Sequence, residues 1–80
     1  MRTFKQWKAR VMLFLSSLSV GEEDQPFIEN LIQRLPQLRL AWLPRYLADL
    51  MLLRKITEVP QDVFPTVEEV DLWHSTKEEE

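Results

Sequence analysis

The only histidine of this 80-residue chain, His74, has Asp71 three residues before it and Glu78 four residues after it. On a helix that spacing puts an imidazole and two carboxylates on one face, a partial set of ligands for a divalent metal ion. Structural zinc draws mainly on Cys and His, and here there is no Cys and no second His. The trio therefore reads as the solvated end of a short helix, and no metal or cofactor is expected. Nucleophilic catalysis requires a hydroxyl or thiol beside an activating base. Ser16, Ser17 and Ser19 stand far from His74 along the chain, and nothing resembles a nucleophile elbow or a phosphate loop. The acidic pairs Glu22/Glu23 and Glu68/Glu69 fall at helix starts, where carboxylates complement the helix dipole. No catalytic residue is nominated, and the chain reads as a non-enzyme.

Binding is better served. Three tryptophans, Trp7, Trp42 and Trp73, are many for 80 residues, and Trp and Arg are the side chains that most often anchor protein interfaces. The run Arg39-Leu40-Ala41-Trp42-Leu43-Pro44-Arg45-Tyr46 sets Trp42 and Tyr46 between two arginines at a corner between helices. Trp7 and Trp73 recur at helical spacing with other apolar residues and are expected in a core. Trp42 lies outside the clean periodic segments, so core and surface are both open to it. Arg39, Trp42, Arg45 and Tyr46, with Leu13 on the first helix, are nominated as partner-binding residues.

Charge is divided along the chain. Residues 1–55 carry nine Lys/Arg against five Asp/Glu, a balance of +4, whereas residues 56–80 carry one against eight, a balance of −7. Such a division bears on partners rather than on chemistry. Arg2, Lys5, Lys8 and Arg10 are the candidate contacts to an anionic surface. They also precede the apolar run Val11–Val20, as in a signal peptide, but Trp7 interrupts the basic stretch and no small-x-small pattern follows. That run is too short to span a bilayer. A cytoplasmic location is expected.

These residues need elements to hold them. One glycine in 80 residues argues against tight hairpins, and a fraction of 45% hydrophobic with 29% charged belongs to a folded chain. Thr3-Phe4-Lys5-Gln6 is a capping box opening a helix over about 4–19, with Gly21 as its stop. Its apolar stripe is Phe4, Trp7, Val11, Phe14, Leu15 and Leu18, with Leu13 opposite. Pro26 starts a second helix, about 26–35, whose apolar face is Phe27, Ile28, Leu31, Ile32 and Leu35. The segment 37–43 is either a turn or helix, and a turn with Pro44 opening the third helix is favoured. The third helix, about 44–56, is apolar almost all round, as for a helix that is central or shared with a partner. Thr57–Pro65 reads as a loop, since Val59 and Phe64 each precede a proline. Thr66-Val67-Glu68-Glu69 is a second capping box, opening a short helix over about 67–75.

The fold class expected is all-α: a small bundle of three main helices and a short C-terminal one, in a single domain over 1–75. Residues 76–80 would be a frayed acidic tail, masking the basic first helix or reaching a basic partner. A chain of this size buries a marginal core, and this one has apolar side chains left over. The function expected is that of a protein-interaction protein, an adaptor, assembly factor or inhibitor, self-associating as a homo-oligomer or bound to a larger partner. The alternative is a nucleic-acid-binding regulator of helix-turn-helix type built on the basic first two thirds. Against that alternative, the third helix offers base edges only Arg45, Arg54 and Lys55. Membrane-surface binding through the first helix is less favoured than the nucleic-acid alternative.

Overall fold

The computed structural model describes residues 1–76. They form four α-helices: α1 (Phe4–Ser16), α2 (Gln25–Arg34), α3 (Leu43–Leu53) and α4 (Val67–Thr76). Short 3₁₀ turns at Glu22–Asp24 and Leu40–Trp42 lead directly into α2 and α3, and a third at Gln61–Val63 interrupts the last connection. There is no strand among the described residues, so the architecture is an all-α bundle of three main helices and a short C-terminal one. The frayed tail expected at 76–80 lies outside the described residues except for Thr76, which closes α4.

Both capping boxes form. The Thr3 hydroxyl accepts from Gln6 N–H while the Gln6 side chain accepts from Thr3 N–H. Thr66 and Glu69 exchange the same pair of bonds. Each pair satisfies two helix-start donors that have no partner within the helix. Proline sits in the first turn of α2 and of α3, as Pro26 and Pro44, where its missing N–H forfeits no helical bond.

The end of α1 departs from expectation. The helix stops at Ser16 rather than near Ser19, because Ser17 turns both its backbone N–H and its hydroxyl onto Phe14 O. A serine hydroxyl competes in this way for the helix's own carbonyls. Gly21 is not the stop: its φ of −64° and ψ of 161° are extended, and it opens the next 3₁₀ turn instead. α3 likewise gives way after Leu53 to a tightened turn in which Arg54, Lys55 and Ile56 bond back three residues rather than four. The segment 37–43 resolves as a turn, Leu38 N–H to Leu35 O, followed by the 3₁₀ turn that feeds α3.

The core follows the periodic stripes. Phe4, Trp7, Val11 and Leu15 of α1 meet Ile28, Leu31 and Leu35, then Leu43, Tyr46, Leu50 and Leu53, and Trp73 of α4 closes it. At its centre is a cluster of four rings. Trp7 lies 5.8 Å from Phe4, 5.6 Å from Trp73 and 6.4 Å from Tyr46 between centroids, within the range for favourable aromatic pairing. Each buried indole finds an acceptor far along the chain: Trp7 Nε1 donates to Val63 O at 2.8 Å and Trp73 Nε1 to Arg2 O at 2.8 Å.

Candidate partner-binding groove

α3, apolar almost all round in composition, is buried on one side only. Leu43, Tyr46, Leu50 and Leu53 face the core, spaced three and four residues apart. The opposite side carries Pro44, Arg45, Ala48, Met51, Leu52 and Lys55, all exposed. Met51 and Leu52 are about half exposed, unusually open for side chains of their size. Immediately before this helix, the 3₁₀ turn buries Leu40 and leaves Trp42 59% exposed. The turn has no side-chain cap of its own; Trp42 N–H bonds Arg39 O, and buried Leu40 and Leu43 pin the backbone on either side. The indole is therefore displayed on a fixed base rather than on a loose loop.

A groove of about 470 Å³ opens beside it, lined by Arg34 from the end of α2, by Gln37, Leu38, Ala41 and Trp42 from the connection, and by Arg45 from α3. Its size falls within the range of small ligand pockets, and its walls join an apolar floor to cationic rims. Arg34 is held: Nη1 donates to Asp49 Oδ2 and Asn30 Oδ1, each at 2.8 Å, and the guanidinium lies 5.2 Å from the Tyr46 ring centre. Arg45 has no hydrogen bond or ion pair among the described residues.

The five nominated partner-binding residues are thus not one patch. Trp42 and Arg45 line the groove, and Arg39 is exposed in the same connection. Tyr46 is corrected: it is fully buried, and its hydroxyl donates to Leu31 O at 2.8 Å. Leu35, capping α2, bonds Ile32 O instead, so the Leu31 carbonyl takes the phenol as its partner. Burial pushes the phenol pKa well above its ordinary value. Leu13, 68% exposed, lies on the outer side of α1 among Ala9, Ser16 and Ser17. A single exposed leucine in such company is ordinary surface. Arg34, Gln37 and Leu38 were missed, since only their folding together makes a groove; the absence of any acid between residues 30 and 48 was the available signal.

The basic first helix is largely spoken for. Arg2 makes a bidentate pair with Glu69, both N···O distances 2.9 Å, and also donates to the carbonyls of Asp62 and Phe64. Arg10 pairs in the same forked way with Asp62, at 2.9 and 3.0 Å. Lys8 donates to Leu38 O and sits 4.7 Å from the Phe4 ring centre. Of the four cations nominated for an anionic surface, Lys5 alone has no such engagement among the described residues. A hollow of about 680 Å³ beside Arg2, Asp62, Phe64 and Glu69 is thus bordered by polar groups already bonded to one another. Glu69 is buried, 4% exposed, yet charged: Arg2 beside it, with help from Thr66 and Arg2 N–H groups, holds its carboxyl down at about 2.

The other chemical candidates stay apart. His74 is exposed with Nδ1 2.9 Å from Val70 O, Glu78 lies outside the described residues, and no cluster of three metal-ligating side chains forms among the described residues. Ser17 commits its hydroxyl to the Phe14 carbonyl. No helix is long and apolar enough to cross a membrane among the described residues. Comparison with family models, with curated proteins and with solved structures yields no match to this chain.

Proposed function

We propose that this chain is a small helical interaction module that docks onto another protein through the Trp42 groove and the outer face of α3. The observation that carries the reading is the treatment of the three tryptophans. Trp7 and Trp73 are buried with their ring N–H groups bonded, whereas Trp42 stands on a 3₁₀ turn with more than half of its surface open to solvent. Leaving an indole exposed forfeits about 2 kcal/mol or more of burial energy that the fold collects from its other aromatic residues. Exposed Trp beside Arg is the composition of an interface anchor. Ala48, Met51 and Leu52 extend an apolar surface along α3 for a partner to cover. The reading is non-catalytic and suits a cytoplasmic adaptor, assembly factor or inhibitor.

The internal pairing of Arg2 and Arg10 weighs against the nucleic-acid alternative, because those cations would have to leave carboxylates before reaching phosphates. The test is site-specific photo-crosslinking in the cell that makes the protein, with a benzophenone amino acid at position 42 and, as control, at exposed Ser17. The expected result is one adduct with a different polypeptide from position 42 and none from position 17. An adduct of twice the chain's own mass would replace the outside partner by a second copy, and no adduct at 42 would refute docking through this groove.

A further inference from the structure

We infer that the occupant of the Trp42 groove is an acidic peptide segment carrying one large apolar side chain; this rests on the docking reading above and adds the partner's chemistry. The groove has an apolar floor of Leu38, Ala41 and the Trp42 ring, and its polar lining is Arg34, Gln37 and Arg45, with no carboxylate. The sequence keeps acids away from it over a long stretch, since residues 30–48 hold three arginines and no Asp or Glu. Asp49, the next carboxylate along the chain, is already bonded to Arg34. Arg45 alone of the lining cations has no anion among the described residues.

Covering the groove decides the partner's sign. Trp42 and Arg45 are three residues apart, one turn of helix, so a segment that buries the indole also takes water from the guanidinium. A guanidinium stripped of water with no anion is heavily penalised, and a basic or purely apolar segment would impose that penalty. A carboxylate offered to Arg45 removes it and adds a forked hydrogen bond. The volume, about 470 Å³, accommodates one large side chain and its neighbours rather than a whole helix. A nucleic acid is the weaker fit. The chain is −3 overall and two of its basic N-terminal side chains are neutralised by Glu69 and Asp62, leaving few cations to displace counterions from phosphates.

Two measurements test this. Trp42 is the exposed indole of the three, so iodide and caesium quenching at equal ionic strength reports the field around it. The iodide-to-caesium quenching ratio should exceed that of free N-acetyltryptophanamide, and Arg45→Gln should lower it; a ratio no higher than that of the free indole would overturn the assignment. The second is selection of a random twelve-residue peptide library on the immobilised full chain, with counter-selection on the Trp42→Ala chain. Enriched peptides should carry Asp or Glu flanking an aromatic or long aliphatic residue. As synthetic peptides they should lose about tenfold or more in affinity for the Arg45→Glu chain and weaken as salt rises. Both substituted side chains are exposed, so each variant should keep its helices, as circular dichroism would check. Neutral or basic peptides indifferent to Arg45→Glu would overturn the acidic assignment and leave docking at Trp42 standing. Failure to enrich any Trp42-dependent peptide would overturn both. Tighter Trp42- and Arg45-dependent binding of a single-stranded thymidine oligonucleotide than of the best peptide would replace the acidic peptide by nucleic acid.

Discussion

Replacing Glu69 by Gln should remove a single buried charge while keeping the shape and the acceptor oxygen. In the native protein this carboxylate accepts from Arg2 Nε, Arg2 Nη2, Arg2 N and Thr66 N, all within 3.0 Å. A carboxyl held at about 2 against an ordinary 4.5 contributes at most about 3 kcal/mol at neutral pH, at about 1.4 kcal/mol per unit. The Arg2 side chain is 28% exposed, and solvent screening brings the net figure nearer about 2 kcal/mol. The folded value is the lower of the two, so this stability is complete above the ordinary value and drains as pH falls from 4.5 toward 2. By pH 2.5 about three-quarters of it should be gone. Urea unfolding followed by tryptophan fluorescence, run on native and Glu69→Gln chains at pH 7 and 2.5, measures the difference directly. The other carboxylates titrate in both chains and cancel in the comparison. A Glu69→Gln penalty of the same size at both pH values, or none at pH 7, would refute the account of Glu69 as a charge held by Arg2.

Tyr46→Phe should destabilise by about 1 kcal/mol in the same urea assay, since it leaves the buried Leu31 carbonyl without a donor. In the native chain the phenol should ionise only above the ordinary tyrosine range, read as a delayed rise in absorbance near 295 nm that accompanies alkaline unfolding. Its raised value adds stability that is intact below the ordinary value and is lost as pH climbs past it. Thr3→Ala should lower stability by about 1 kcal/mol through loss of the α1 cap, with a matching fall in helical circular dichroism. Trp73→Ala should cost about 3–5 kcal/mol, because it opens a cavity against Phe4 and Trp7 and frees the Arg2 carbonyl; a chain this small should then populate the unfolded state at room temperature, visible as a broadened melting transition.

Helix positions were written plainly in the sequence because apolar periodicity and capping boxes are local signals. Thr3/Gln6 and Thr66/Glu69 each declare a helix start within four residues, and both form. The end of α1 was misplaced because Gly21 is a familiar stop, whereas the effective one is a serine hydroxyl bonding back to Phe14. Tyr46 was placed with the arginines beside it in the chain, but helical geometry turns it inward and Arg45 outward. Which apolar side chains of α3 are covered depends on what packs against it, and no window of sequence contains that. The pairing of Arg2 with Glu69 spans 67 residues and was invisible, although the charge division hinted at it. Part of the neutralisation assigned to an acidic tail is performed by Asp62 and Glu69 from within the fold.

The ring cluster fixes an order of events in the life of the molecule. Trp7 waits for Val63, and Arg2 waits for Trp73 and Glu69, so the first helix cannot be sealed until residues 63–73 have arrived. Closing so long a loop comes late by entropy, after the local helices have formed. Until Val63 and Trp73 are in place, Phe4 and Trp7 lack the partners that bury them, and a chain cut short before Trp73 would leave both rings open to water.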